Sequence, residues 1–371
     1  MNVLIIPAWY PTPKNKMAGI FVQDQVQSLI KQNVDVKVIY SQPYEKIKNT
    51  NSIVYYSKYS VIINKQFSFI NYFSNVYKSF LRLKKNGFIP DIIHAHVSLP
   101  SGLAAVLLKK QFKIPVILTE HTGPFEYLMR NPLSAFLTRF TINHSDAVIA
   151  VSNRARDDML KYNFNKDIKV IHNMVNLSEF NLRPKRRNER NKIRLLFVGG
   201  LNTDQKGLDL LLKAFQKIRQ NPCFFSMDLV VVGGGEKLDY YKNFAVDLGL
   251  GESVIFKGAL DRKGVIEEMQ ACDVFVLPSR HETFGVVIIE ALASGKPVVS
   301  TRCGGPEDII KEEFLGELAN REDVDDLASK ITKVITNLDK YDSKKIREYV
   351  KDCFGSEIIA KKLIAEYKKL I

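Results

Sequence analysis

The chain has few cysteines, four in 371 residues. Cys223, Cys272, Cys303 and Cys353 lie far apart, with no C-x-x-C pair and no histidine at metal-binding spacing. This pattern excludes a disulfide framework and the usual cysteine-based zinc sites. Reduced thiols of this kind predict a cytoplasmic protein.

Long apolar runs are also missing. The first residues, MNVLIIPAWYP, contain four consecutive apolar residues before a proline. This is too short for the apolar core of a signal peptide, and no later run approaches the length of a membrane span. We therefore expect neither a signal peptide nor a transmembrane helix.

Acidic side chains are scarce in the first half of the chain. Residues 1–190 carry 27 lysines and arginines against 12 carboxylates, a net charge of +15. Residues 191–371 carry 27 against 28, a net charge of −1, so the first half holds the whole excess of +14. Such a charge favours an anionic partner: a membrane surface, a phosphorylated acceptor or a nucleic acid.

The length and the order of elements predict two α/β domains. A βαβ series begins with Asn2–Ile6, Ile20–Gln32 and Val34–Tyr40, and a second begins at Ile193–Val198. Each series predicts a doubly wound, Rossmann-like parallel sheet. Between them Arg183–Lys192 (RPKRRNERNK) is polar and contains a proline, which predicts a hinge; a nuclear localisation signal or nucleic-acid patch is the alternative.

The stretch Pro278–Thr301 (PSRHETFGVVIIEALASGKPVVST) follows an apolar strand and contains a loop, a helix and another strand. Glu282 lies in the loop, where an α/β sheet holds its ligands. Glu290 lies two helical turns later among aliphatic residues, where an ionised carboxylate costs several kcal/mol unless it is hydrogen-bonded. The alternative is two ordinary carboxylates, one solvated and one capping its helix.

This pair and its setting, E-T-F-G followed by E-A-L-A-S-G-K-P-V-V, resemble the E-x7-E motif of glycosyltransferase family 4, retaining enzymes of the GT-B fold. The resemblance covers nearly the whole chain and is strongest from 193 to 310. It implies that Glu290 binds the ribose hydroxyls of a sugar nucleotide and that Glu282 contacts the donor sugar. The other donor-binding positions that it implies around these carboxylates are Thr283, Phe284, Gly285, Phe256 and Gly258.

The diphosphate of the donor requires cations or backbone amides. Lys206 precedes a predicted helix, where the dipole disfavours a cation unless an anion is bound. The resemblance implies that Lys206 binds the diphosphate, but Gly200 stands where the family has an arginine, which leaves the site one cation short. In the first loop, Gly19 matches the second glycine of a family Gly-Gly pair that lies against the donor phosphate.

Three histidines lie at or just after the ends of two predicted strands of the first domain. His121 comes after the predicted strand Pro115–Thr119 and resembles the family histidine that contacts the donor sugar near the reaction centre. His94 and His96, in DIIHAH, are predicted to be structural residues near the end of a strand.

Residues 53–85 interleave aromatic and basic side chains. One interpretation is a helix lying in a membrane interface. The alternative is a core helix with a solvated basic edge that includes Lys78, Arg82, Lys84 and Lys85.

Two other motifs have weaker functional interpretations. Gly233-Gly-Gly235 lacks the third glycine of the dinucleotide fingerprint. Asp323-Val-Asp325 resembles a D-x-D metal motif, but it precedes an amphipathic helix, so helix capping is the better interpretation. We predict no cofactor and no metal, since the nucleoside diphosphate sugar is a substrate.

The predicted function is a retaining hexosyltransferase. Residues 1–185 would form an acceptor-binding domain, on which helix 356–371 packs back, and residues 190–355 a donor-binding domain facing it across a cleft. The expected acceptor is a lipid-linked glycan of capsule, O-antigen or other surface polysaccharide (lipopolysaccharide included) at the inner face of the cell membrane. The alternatives are a GT-B sugar-nucleotide epimerase, which needs no basic aromatic acceptor domain, and a basic nucleic-acid-binding protein, which leaves Glu282, Glu290 and Lys206 without a role.

Overall fold

The structure is a computed structural model that describes residues 1–12, 15–43, 54–59, 65–182, 192–224 and 226–371. For residues 42–43, 54–59 and 65–68 it describes the backbone alone. The predicted hinge lies outside the described residues, apart from Lys192. The chain divides into two compact units, Met1–Asn173 with Ser356–Ile371, and Met174–Gly355.

The described residues form strands and helices in alternation. The strands are β1 (Asn2–Pro7), β2 (Asp35–Pro43), β3 (Val54–Tyr59), β4 (Ile92–His96), β5 (Val116–Glu120), β6 (Ala147–Ala150), β7 (Ile168–Val170), β8 (Ile193–Val198), β9 (Met227–Val232), β10 (Val254–Gly258), β11 (Val274–Leu277), β12 (Val298–Thr301) and β13 (Gly316–Ala319). The helices are α1 (Ile20–Lys31), α2 (Lys65–Lys85), α3 (Leu103–Phe112), α4 (Glu126–Met129), α5 (Pro132–His144), α6 (Asn153–Leu160), α7 (Leu208–Arg219), α8 (Leu238–Asp247), α9 (Arg262–Ala271), α10 (Val286–Ala293), α11 (Pro306–Ile309), α12 (Val324–Thr336), α13 (Ser343–Phe354) and α14 (Ser356–Tyr367).

The first unit is built on a parallel sheet with the order β3-β2-β1-β4-β5-β6-β7. Every residue of β4 and β5 is buried, as expected of central strands covered by helices on both faces. In the sheet register Pro7 lies beside His96, and His96 lies beside Thr119. The loops that carry Gly19 and His121 therefore leave the same, carboxyl edge of the sheet.

The second unit is built on a parallel sheet with the order β10-β9-β8-β11-β12-β13. Its central strands β11 and β12 are completely buried. In both sheets the chain starts at the middle and winds outward in both directions. The prediction of two doubly wound parallel α/β sheets is confirmed.

The segment after Asn173 belongs to the second unit, whereas the sequence predicted that the first domain ends at residue 185. Val175 N donates to the Phe354 carbonyl at 3.0 Å, and Arg347 donates to the carbonyl of Leu177 at 2.7 Å. These hydrogen bonds tie residues 175–177 to α13 and its end. The two units therefore divide upstream of the polar segment, between Asn173 and Met174.

The aromatic-basic stretch contains β3 and α2. In α2 the buried side chains are Tyr72, Val76, Phe80 and Leu83. The basic residues at 78, 82, 84 and 85 are exposed on the other face. Over the part whose side chains are described, α2 is therefore a core helix with a solvated basic edge. The side chains of Val54–Tyr59 and of Phe67 are not among the described ones. No helix in the described residues has the length and apolar composition to cross a membrane.

The D-x-D segment caps a helix. Asp323 precedes α12, and its carboxylate accepts a hydrogen bond from the Asp326 amide at 2.9 Å. This is the N-cap geometry that the sequence favoured.

Candidate active site

Glu282 lies in the loop between β11 and α10. Its buried carboxylate accepts hydrogen bonds through Oε1 from Lys206 Nζ at 2.6 Å and from Ser279 Oγ at 2.7 Å. The loop is held in place by the Gly305 amide, which donates to the Glu282 carbonyl at 2.9 Å. The fold thus joins two predicted site residues that are 76 positions apart in the chain.

Lys206 ends a 3-10 turn, Asp204–Lys206, immediately before α7. The next residue, Gly207, has φ 69°, and a Cβ there would overlap the Pro278 carbonyl oxygen. Glycine is required for this close approach, which places the turn against the end of β11. The partly exposed ammonium group therefore lies beside Glu282 at the N-terminus of α7, a position that favours a bound anion.

Arg280 fixes the turn that carries Lys206. Its two Nη atoms donate to the two carboxylate oxygens of Asp209, each at 2.8 Å, and Nη1 also donates to the Asp204 carbonyl at 2.6 Å. Nε donates to Glu322 at 2.6 Å. A bidentate pair of this kind sets direction as well as distance, so Arg280 is a positioning residue for Lys206.

Glu290 lies in the second turn of α10 and is 2% exposed. Burial raises the pKa of its carboxyl group, and the nearby guanidinium of Arg262 opposes that rise. Arg262 Nη1 donates to Glu290 Oε1, and Arg262 Nε donates to Glu179 at 3.0 Å. The partner that a buried carboxylate requires is therefore present within the second unit, on α9.

The three residues between Glu282 and α10 are placed differently. Phe284 is 2% exposed and packs edge-on against Phe354, with ring centroids 5.7 Å apart. Thr283 is half-buried, and Gly285 begins α10 in a left-handed conformation. The Phe284 side chain thus supports the loop from the core, and a role of this residue in donor binding stays a prediction.

In the first unit Gly19 begins α1 with φ 65°. A Cβ at this position would overlap the Trp9 carbonyl oxygen, so the loop after β1 can fold against the helix start only with glycine. No side chain caps this end of α1 among the described residues. The amides of Ile20 and Val22 donate to the main-chain carbonyls of Met17 and Gly19, at 3.3 and 2.9 Å, and a role of this helix start in phosphate binding stays a prediction.

His121 directly follows β5 on the same edge. The carboxylate of Glu120 accepts hydrogen bonds from the main-chain amides of His121 at 3.0 Å and Thr122 at 2.8 Å. The His121 ring lies 4.7 Å from the Phe21 ring, between centroids, and its Nε2 is 2.9 Å from His96 Nδ1. Both its backbone and its ring are thus fixed.

His94 and His96 are buried and form a cluster with His121. The rings of His94 and His96 stack at 4.4 Å, and those of His96 and His121 at 5.2 Å. Burial lowers the pKa of His94 and of His121 to about 3, and burial with the neighbouring rings lowers that of His96. All three imidazoles are therefore neutral at physiological pH.

Comparison with known proteins matches both units to glycosyltransferases. The model of glycosyltransferase family 4 matches residues 18–179, and that of glycosyl transferases group 1 matches residues 178–352. The uncharacterized glycosyltransferase MJ1178 of Methanocaldococcus jannaschii is 31% identical over 91% of this chain and 89% of its own length. The chain belongs to glycosyltransferase family 4.

One further relative and one solved structure are similar to this chain. The alpha-monoglucosyldiacylglycerol synthase of Streptococcus pneumoniae is 30% identical over 62% of this chain and 55% of its own length. The structure of Anabaena HepE in complex with UDP and glucose is 17% identical and covers 100% of both chains, with a TM-score of 0.78. The family 4 glycosyltransferase described here therefore has the GT-B fold.

In this glycosyltransferase the position of the missing arginine is open. Gly200 is exposed, and a Cβ there would meet no atom within 4 Å among the described residues. Its neighbour Gly199 lies against Lys206, since a Cβ on Gly199 would be 3.1 Å from Lys206 Cγ. A longer side chain at position 200 therefore has room beside Lys206.

Phe256 and Gly258 lie in β10, an edge strand of the second sheet. Phe256 is half-buried, and the Gly258 carbonyl accepts a hydrogen bond from the Gly233 amide at 2.9 Å. A Cβ at Gly258 would meet no described atom within 4 Å. The end of this strand thus offers open space, and its role in holding a nucleotide base stays a prediction.

Two arginines of the candidate site could not be found from sequence. Arg262 contacts Glu290 from another helix, and Arg280 contacts Asp209 across 71 positions. No sequence motif connects these pairs. The sequence indicates that a buried Glu290 needs a cationic partner. It does not indicate which residue supplies that cation.

Proposed function

We propose that this glycosyltransferase transfers a hexose from a nucleoside diphosphate sugar with retention of the anomeric configuration. The observation that carries the proposal is the Lys206–Glu282 contact at 2.6 Å beside the start of α7. It brings together one cation that would bind the diphosphate and one carboxylate that would bind the sugar. The solved structure of HepE, which holds UDP and glucose, has the same fold and supports this class of donor.

The protein's part in the reaction is positioning and charge stabilisation. Lys206 would bind the donor diphosphate and stabilise the negative charge that develops as it leaves. Glu282 would accept hydrogen bonds from the donor sugar, and Glu290, oriented by Arg262, would accept those of the ribose hydroxyls. The acceptor hydroxyl would attack on the face that the diphosphate leaves, and a phosphate oxygen would take its proton. The proposal requires no metal.

Turnover of nucleotide sugars tests this function. We expect slow release of nucleoside diphosphate from one member of a panel of UDP- and GDP-hexoses, with the sugar first released in the donor's anomeric configuration. A coupled absorbance assay for the released nucleoside diphosphate gives the rate. Proton NMR identifies the anomer of the released sugar. Glu282→Gln should abolish release, whereas Glu252→Gln, an exposed matched control, should not.

The outcomes separate the competing functions. Release of the opposite anomer contradicts retention. Conversion to an epimeric nucleotide sugar without release indicates the epimerase alternative, and no reaction with any donor argues against the proposed function.

We further propose that the acceptor is a lipid-linked glycan at an anionic membrane surface. The first unit carries 26 lysines and arginines against 12 carboxylates, a net +14, and the second carries 28 of each. In α2 the rings of Tyr72 and Phe80 are buried, whereas Ile70 and Leu81 are exposed together with its cations. The exposed apolar residues Tyr127, Leu133 and Phe136 lie on α4 and α5 of the same unit. The diacylglycerol named for the Streptococcus pneumoniae relative is consistent with a lipid acceptor.

Vesicle co-sedimentation across a salt series tests the membrane proposal. We expect wild type to bind vesicles with anionic lipid at low salt and to release as salt rises. Each cation contributes roughly 1 kcal/mol near such a surface, so changing residues 78, 82, 84 and 85 to glutamine should weaken binding by about 4 kcal/mol. The charge-matched control changes four exposed lysines of the second unit, at 242, 263, 344 and 351. Equal binding by both variants, or no wild-type binding at low salt, contradicts the proposal.

A further inference from the structure

A chain of hydrogen bonds connects the C-terminal helix to His121 within the first unit. Tyr367 OH lies 2.6 Å from His94 Nδ1, and His94 Nε2 lies 2.7 Å from Thr119 Oγ1. The side-chain amide of Gln25, on α1, is 3.3 Å from His94 Nδ1 and 3.4 Å from His96 Nε2. His96 Nδ1 then contacts His121 Nε2. Each neutral imidazole has one N–H and one acceptor nitrogen, so the direction of every link can be worked out.

The hydroxyl of Tyr367 determines which atom donates in its hydrogen bond with His94. Its side chain is completely buried, and among the described residues its hydroxyl has His94 Nδ1 as its hydrogen-bond partner. A buried O–H without an acceptor costs roughly 1–3 kcal/mol, so the hydroxyl donates and Nδ1 accepts. Because His94 is neutral, its proton lies on Nε2, which donates to Thr119.

The orientation of the Gln25 side-chain amide determines which nitrogen of His96 carries the proton. An acceptor nitrogen on His94 repels an amide oxygen and attracts an amide N–H. The NH2 group of Gln25 therefore faces His94 Nδ1, and the same group faces His96 Nε2. His96 Nε2 is consequently an acceptor, and the proton of His96 lies on Nδ1.

The last link reaches the candidate active site. His96 Nδ1–H donates to His121 Nε2 at 2.9 Å, so neutral His121 must carry its own proton on Nδ1. In the described part of the chain His121 Nδ1 has no hydrogen-bond partner, and it is not one of the buried unsatisfied atoms. An accessible N–H is therefore left at the carboxyl edge of the sheet.

We infer that Tyr367, Gln25 and His96 are positioning residues that hold His121 as the Nδ1–H tautomer, which donates a hydrogen bond to a substrate oxygen. This inference rests on the proposed function for the identity of that oxygen, a hydroxyl of the transferred sugar. The opposite tautomer, which free histidine prefers in water, would direct an acceptor nitrogen at the substrate and repel an oxygen lone pair.

Nitrogen NMR of the full chain, labelled with 15N-histidine, tests the tautomer without any substrate. Long-range proton–nitrogen correlations at pH 7 should show His121 with a protonated Nδ1 and an unprotonated Nε2. Tyr367→Phe removes one hydroxyl from the far end of the chain of hydrogen bonds. It frees Gln25 to rotate and should raise the Nε2–H population of His121. Gln25→Leu should do the same, whereas Gln27→Leu, exposed on the same helix, should change nothing.

Kinetics provide the second readout. Tyr367→Phe and Gln25→Leu should lower kcat roughly threefold to tenfold, the worth of one hydrogen bond, with little change in the KM for the donor. A wild-type His121 protonated on Nε2 overturns the inference, as does a tautomer that Tyr367→Phe and Gln25→Leu leave unchanged. If the tautomer is as inferred but His121→Ala keeps full activity, the positioning by Tyr367 and Gln25 stands and the proposed role of His121 is wrong.

Discussion

Replacing Lys206 with alanine is expected to lower kcat/KM for the donor by at least two orders of magnitude. The ammonium group lies beside Glu282 at the start of α7, where we propose that it binds the diphosphate. Removing one group that stabilises developing charge costs about 3–4 kcal/mol. Steady-state release of nucleoside diphosphate gives the value. Lys263→Ala, whose side chain is 86% exposed, is the matched control and should behave as wild type.

A second variant, at the open position Gly200, tests where the diphosphate lies. A Cβ there meets no described atom within 4 Å, so Gly200→Arg can be introduced without displacing the backbone. In the Lys206→Ala background it should restore part of the lost activity if the diphosphate lies where the family's arginine would reach it. Near-normal turnover by Lys206→Ala alone would show that the diphosphate binds elsewhere.

The elements around the E-x7-E motif could be predicted closely from sequence. The apolar run at 274–277 and the glycine and proline after Ser294 delimit β11, α10 and β12, which the structure places at 274–277, 286–293 and 298–301. These limits depend on local composition and on residues that stop helices, which a single sequence displays. The doubly wound sheets could be predicted for the same reason, since they follow from the order of elements.

The partners of the site residues could not be predicted, because they come from distant segments. The sequence did not indicate that parallel pairing of β4 with β5 brings His96 to His121. Tyr367 reaches the same cluster across 273 positions, and nothing in its own helix indicates a role. The local sequence pattern identifies polar residues that are buried, whereas the tertiary fold determines which of them are in contact.

The same distinction applies to the unit boundary. Residues 183–192 have the composition of a hinge, yet the chain already belongs to the second unit from Met174. The carbonyl groups of Leu177 and Phe180 accept hydrogen bonds from Arg347 of α13, a contact that no pattern in their own segment indicates. Composition therefore located the polar segment but not the point where the packing changes.

The ion pair between Arg262 and Glu290 should have separable effects on stability and on donor binding. Arg262→Met leaves a buried carboxylate without its cation, which should reduce the free energy of unfolding of the second unit by roughly 3 kcal/mol, since breaking a buried pair costs about 3–5 kcal/mol and Arg262 remains partly exposed. Glu179→Gln removes the other carboxylate partner of Arg262 and is the matched control, with an expected cost below about 1 kcal/mol. Urea unfolding, monitored through hydrogen exchange of the α10 amides, measures the loss of unfolding free energy in both variants.

The double variant Arg262→Met, Glu290→Gln decides between a structural and a functional purpose for Glu290. Removing both charges relieves the unpaired carboxylate, so most of the stability lost in Arg262→Met should return. Donor binding should not return, because the amide introduced by Glu290→Gln offers one weaker acceptor where the carboxylate would hold the ribose hydroxyls. Calorimetry should show donor affinity weakened by roughly 1–3 kcal/mol in Glu290→Gln and in the double variant alike. Wild-type affinity in either would remove Glu290 from the donor site and leave the pair with Arg262 as a purely structural contact of α9 with α10.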